Sequence, residues 1–106
     1  MIFYNDKIEK LDLGGGVARK VLAHSDNIMA VEVIFEKGGV GTLHTHEHEQ
    51  VSYVLEGSFE VTIGDEKFII KKGDTYYTKP NIVHGVLALE DGKLLDVFTP
   101  ERKDFL

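Results

Sequence analysis

The chain has no cysteine. That excludes disulfides, iron–sulfur clusters, thiolate zinc sites and a cysteine nucleophile. Any metal must be held by nitrogen and oxygen ligands. Basic runs are missing too. Lys and Arg number 12 against 18 Asp and Glu, for a formal net charge of −6. A nucleic-acid partner needs clustered cations along its phosphates, so none is expected. No apolar stretch approaches the ~18 residues of a membrane-spanning helix, so no membrane partner is expected. The opening MIFYNDKIEK is mixed and charged, unlike the apolar core of a secretory signal. A cytoplasmic location is the default expectation.

At 106 residues the chain has room for one domain, expected to span 1–106. A short chain buries a small share of its surface. Association as a homodimer is the expected source of the missing burial.

What is present is a series of short β-branched runs separated by Gly, Asp and Asn. Val17–His24 and Met29–Phe35 read as strands joined by a turn at Ser25-Asp26-Asn27. Leu13-Gly14-Gly15-Gly16 reads as a flexible turn rather than a phosphate loop, because no Lys-Ser/Thr and no helix follow. Glu36-Lys37-Gly38-Gly39 turns the chain again. Further strands are expected over 50–56, 59–63, 67–71, Thr75–Thr78, 84–89 and 93–98. In 59–63 the apolar and polar residues alternate with period two, as one buried face requires. Helical periodicity is absent until the last few residues. The fold class is therefore all-β, a barrel or sandwich.

The stretch HTHEHEQ concentrates the chemistry. His44, His46 and His48 alternate, Gln50 follows, and His84 stands in a distant segment. On a strand, residues two apart point to one face, so His44 and His46 are expected to aim together. Gln50 can add a carbonyl oxygen if the chain bends, and His84 completes the set. Three imidazoles and one oxygen suit Zn, Ni, Mn or Fe(II), with a coordination position left open. The alternative, a scatter of solvated histidines, fits poorly with four of five lying in two short segments. His48 sits between Glu47 and Glu49 and reads as a loop residue at the rim. His24 reads as structural or exposed.

Two spacings carry a resemblance. Gly38-x5-His44-x-His46-x3-Gln50-x6-Gly57 resembles the first motif of the cupin superfamily, with Gln50 where most members carry Glu. After fifteen intervening residues, Gly73 opens a segment similar to the second motif, Gly-x5-Pro-x-Gly-x2-His-x3-Asn. His84 holds the ligand position there. Lys79, Asn81 and Ala88 replace the Pro, Gly and Asn, and Pro80 falls one place late. Asn81 can adopt the left-handed conformation that Gly would. The resemblance implies a single-domain jelly roll, a double-stranded β-helix barrel, holding a divalent transition metal. A neutral Gln ligand leaves that metal more positive than Glu would, which favours an anionic or oxygen-rich substrate over dioxygen chemistry.

The C-terminal LDVFTPERKDFL adds a second constellation. Asp96 and Phe98 share one face of a strand, Pro100 ends regular pairing, and Arg102 follows on a tail able to fold over the barrel mouth. A carboxylate, an apolar wall and a guanidinium suit a small sugar acid, since Arg pairs bidentately with a carboxylate. The ordinary reading is a solvent-facing Asp, a core Phe and a tail charge. With HTHEHEQ upstream, however, this ending looks like the pectin-degradation cupins that linearise unsaturated uronates. In that family an Asp, a Phe two residues on and an Arg four beyond lie at the active site, and Asp96, Phe98 and Arg102 match them.

The resemblance implies an enzyme that converts 4,5-unsaturated monouronates, left by pectin or alginate lyases, to linear keto acids. Asp96 would be the acid/base group, Arg102 the carboxylate holder, and Phe98 a wall against the ring. Two other readings stay open: a non-catalytic metal- or sugar-binding module, and a different cupin enzyme, either an isomerase or an Fe(II) oxygenase. Fold alone does not choose among them.

Overall fold

A computed structural model describes residues 1–106. Ten strands follow in chain order: β1 (Leu11–Gly14), β2 (Val17–His24), β3 (Met29–Phe35), β4 (Val40–His44), β5 (Glu49–Glu56), β6 (Ser58–Ile63), β7 (Glu66–Lys71), β8 (Thr75–Thr78), β9 (His84–Ala88) and β10 (Gly92–Thr99). They form a six-stranded sheet in the order β1-β2-β3-β10-β5-β8 and a four-stranded sheet in the order β4-β9-β6-β7. Every pairing is antiparallel. The all-β jelly-roll expectation holds. β1 was not foreseen, and β4, expected only as a strand through His44 and His46, instead runs Val40–His44 and stops short of His46. Single 3₁₀ turns occur at Asn5–Lys7 and Lys103–Phe105.

Glycine serves the turns. Gly14, Gly15 and Gly16 all take positive φ between β1 and β2, as a tight reversal demands. Gly57 has φ 80°, and a Cβ there would sit 2.6 Å from the Asp91 carbonyl oxygen. Asn81 adopts φ 65°, the left-handed conformation expected of it.

The main core lies between the sheets. Phe35, Val54, Phe59, Val61 and Leu94 are at most 3% exposed, and Phe35 meets Phe59 edge-on at 5.2 Å. A second cluster, Met29, Val31 and Phe98, sits on the six-stranded sheet. Ala88, where the second motif usually has Asn, is a core residue.

One alternation positions the site. Along β5 the buried face runs Val54, Ser52, Gln50, and along β10 it runs Leu94, Asp96, Phe98. These residues pair directly: Leu94 with Val54, Asp96 with Ser52, and Phe98 with Gln50. The inward row is therefore apolar at one end of the barrel and polar at the other. Buried polar groups must find partners or a ligand, so the chemistry collects at the polar end.

Candidate metal centre and cavity

His44 and His84 meet as register partners where β4 pairs with β9. His46 departs from the expected geometry. β4 ends at His44, and His46 lies in the loop before β5, not one pleat further along a strand. The loop turns it back onto the other two. The backbone N–H of Asn81 donates to the His46 carbonyl at 2.8 Å and ties this loop to the one before His84. Ring centroids lie 4.4 Å apart for His44–His84, 4.7 Å for His46–His84 and 5.4 Å for His44–His46. One ligand atom from each ring falls within 4.8 Å of the others, close enough to hold one ion.

The second ring nitrogens explain the orientation. Nδ1 of His44 faces the Thr42 carbonyl at 2.7 Å, that of His46 the His48 carbonyl at 3.0 Å, and that of His84 the Ile82 carbonyl at 2.8 Å. A carbonyl only accepts, so each Nδ1 carries the proton and each Nε2 of a neutral ring carries the lone pair. For His84 and His46 the neutral ring is favoured. Burial, with the charges of His44, His46 and Arg102 nearby, pushes His84 down to about 4, against its Ile82 hydrogen bond. Burial also lowers His46.

Gln50, 3% exposed, brings Oε1 to 2.9 Å from His46 Nε2. Its amide nitrogen donates to Ser52 Oγ at 2.8 Å, and Ser52 donates to Asp96 Oδ1 at 2.6 Å. The carboxylate fixes the direction of donation, so the Gln50 oxygen faces the lone pair of His46. Two acceptors face to face repel unless a cation stands by them or the His46 ring takes a second proton and donates, the contact that opposes the lowering of His46 by burial. His84 Nε2 is likewise buried without a hydrogen-bond partner. Both features fit a cation held by three imidazole nitrogens and the Gln50 oxygen, a donor set suited to a divalent transition metal.

A cavity of about 550 Å³ opens beside this cluster. His44, Gln50 and His84 line it, together with Asp96, Phe98 and Arg102, so the two expected constellations converge on one space. Burial raises Asp96 to about 6, against the pull of the Ser52 hydrogen bond and the Arg102 charge. Phe98 is 2% exposed and serves the core as well as the cavity wall; its ring meets His46 edge-on at 5.6 Å. Arg102 is also buried and lies over the rings of Phe105 and Phe98, at 4.3 and 5.2 Å.

Several cavity residues were not anticipated. Arg19 lies on the inward row of β2 between Val17 and Val21 and stacks on Phe105 at 3.9 Å. A charge in phase with apolar neighbours on a strand was the legible signal. Ser52 was legible the same way, in phase with Gln50 and Val54. Tyr76 pairs with Ser52 from β8, and burial beside Asp96 pushes its phenol up.

The remaining histidines seat the tail. His48 stands outside the ligand cluster and donates through Nε2 to the Glu101 carbonyl at 3.0 Å. His24 Nδ1 meets the Glu101 carboxylate at 3.1 Å. Together they pin Glu101, the residue before Arg102.

A cupin domain model matches residues 31–98. The pectin degradation protein KdgF of Dickeya dadantii is 48% identical over 106 residues, covering 98% of this chain and 96% of that one. The structure of KdgF from Halomonas sp. superposes with a TM-score of 0.94 at 41% identity, covering 100% of this chain and 98% of that one. An RmlC-like cupin from Shewanella frigidimarina gives 0.95 at 37% identity, covering 99% and 95%. Oxalate decarboxylase OxdC of Bacillus subtilis is 35% identical over 97 residues, but the match spans only 24% of that protein. The chain belongs to the cupin family, in the branch that includes the pectin degradation protein KdgF.

Proposed function

We propose that the protein converts 4,5-unsaturated monouronates to linear keto acids. The observation that carries this reading is the convergence of a raised carboxyl, Asp96, and a buried guanidinium, Arg102, on one cavity beside the histidine cluster. The likeness to KdgF supports it over the other cupin chemistries.

The substrate has a C4–C5 double bond next to the ring oxygen and the carboxylate. A proton added at C4 and a hydroxyl at C5 give a hemiketal, which opens to the linear keto acid. Asp96 is the acid/base group: with burial holding it at about 6, it gains or releases a proton near neutral pH. Arg102 binds the uronate carboxylate, and its charge offsets the negative charge that enters the cavity. Phe98 forms a wall that orients the ring. His44, His46, Gln50 and His84 hold a divalent ion, which when bound supplies Lewis-acid stabilisation of oxygen ligands.

The double bond is conjugated and absorbs in the ultraviolet. Purified protein should speed the loss of that band from unsaturated galacturonate or mannuronate. A rate equal to buffer alone, with Ni, Zn, Mn and Fe(II) supplied in turn, would refute the reading.

A further inference from the structure

We propose that the Ser52 hydroxyl is a positioning group that ties the Gln50 amide to the Asp96 carboxylate and so fixes which end of the amide faces the histidines. The inference rests on reading the histidines as a metal site and Asp96 as the acid/base group.

An amide side chain can present either its oxygen or its nitrogen to a neighbour, at little cost in shape. Facing the lone pair of His46 with nothing else nearby, Gln50 would turn its N–H₂ toward the ring and donate. It does not. Its nitrogen lies 2.8 Å from Ser52 Oγ, and its oxygen lies 2.9 Å from His46 Nε2. The reason is one step further on. Ser52 has a single proton, and that proton is committed to Asp96 Oδ1 at 2.6 Å. The Ser52 oxygen is therefore left as an acceptor, which repels the oxygen end of Gln50 and favours its nitrogen end; the Tyr76 phenol is the other donor beside it.

The three residues are set for this by register. Ser52 pairs with Asp96 across β5 and β10, and Gln50 lies two residues along the same inward row. Ser52 is fully buried, so no water competes for its hydroxyl. From β8 the facing groups are Tyr76 and Thr78, opposite Ser52 and Gln50. The tail brings Arg102 to Asp96, and β3 offers only Val31. No other pairing in the structure holds the amide nitrogen. One hydroxyl thus orients a metal ligand on one side and an acid/base group on the other.

Ser52→Ala removes one oxygen and keeps the packing. Two measurements on it separate the possibilities: the affinity of the metal-free protein for Co(II), and the titration of the Asp96 carboxyl carbon by ¹³C NMR without metal. The variant should bind Co(II) about 10–100-fold more weakly than wild type, as loss of a group supporting a ligand typically does. Its Asp96 should titrate at higher pH, having lost a hydrogen bond that favours the carboxylate. A merely structural serine would move neither. If wild type binds Co(II) and either quantity is unchanged in the variant, the Ser52 inference is overturned by itself. If wild type takes up no Co(II), the metal-site reading falls, and this inference with it.

Discussion

Arg102 holds Asp104, two residues along its own chain, through one edge of its guanidinium: Nε to Oδ1 at 3.0 Å and Nη2 to Oδ2 at 2.8 Å. The guanidinium is buried against Phe98 and Phe105, whereas Asp104 is more than half exposed. Arg102 therefore already grips one carboxylate, and under the proposed function Asp104 competes with the substrate carboxylate for its charge. An exposed ion pair contributes up to about 1 kcal/mol, or about fivefold in an equilibrium constant. Asp104→Asn should lower KM by up to about that factor with little change in kcat. Steady-state kinetics at low ionic strength measure it, and a raised KM would mean that Asp104 helps rather than hinders binding.

Asp96→Asn removes the proton carrier and keeps the volume. General acid/base groups typically contribute 10²–10⁴-fold, so kcat should fall by about that much. Metal content should stay at the wild-type level, because Asp96 is not among the ligands. Unaltered turnover would take Asp96 out of the reaction.

His84 and His48 should separate cleanly. His84→Ala deletes a ligand whose Nε2 is buried without another partner, and bound metal should drop on elemental analysis. His48→Ala deletes the donor to the Glu101 carbonyl. It should leave metal content intact and raise KM severalfold, because Arg102 follows Glu101. Full metal occupancy in the first variant, or metal loss in the second, would redraw the ligand set.

The metal-free protein should also show Asp96 in its pH stability. Its carboxyl is raised from 3.8 to about 6 on folding. The folded state thus binds more protons than the unfolded state in that window, and this group's contribution to stability falls as pH rises through it. Asp96→Asn has no such loss. Relative to wild type it should gain stability between about pH 4 and 6, on the order of 1–3 kcal/mol, and hold the gain above. Urea denaturation midpoints at pH 4 and 7 test the sign. An equal difference at both pH values would mean that the carboxyl is not desolvated.

The strands rich in β-branched residues were legible to within a residue or two, because period-two alternation reports a half-buried face directly. β4 was not, since VGTLH has no alternation and leans on its partner β9 for its place. The histidine cluster is legible by spacing, but strand parity does not bring His44 and His46 together. A shared strand does not align them; a loop tied through Asn81 does. Loop curvature of that kind depends on contacts some 35 residues away and leaves no local trace. Asp96, Phe98 and Arg102 are a candidate set by parity and chemistry, and the family likeness is what sets them above an ordinary strand end and tail. Ser52 and Arg19 were written plainly in the strand parity and were passed over, because a lone serine or arginine draws no notice until its neighbours are known to be buried.

The most direct test is ¹H NMR of an unsaturated monouronate incubated with the protein in D₂O. The expected result is rapid loss of the vinyl H4 signal and a linear product carrying deuterium on one face of C4, as delivery by a fixed group demands. Loss at the buffer rate, or deuterium spread equally over both faces, would contradict a cavity in which Asp96 and Arg102 act together on a sugar acid.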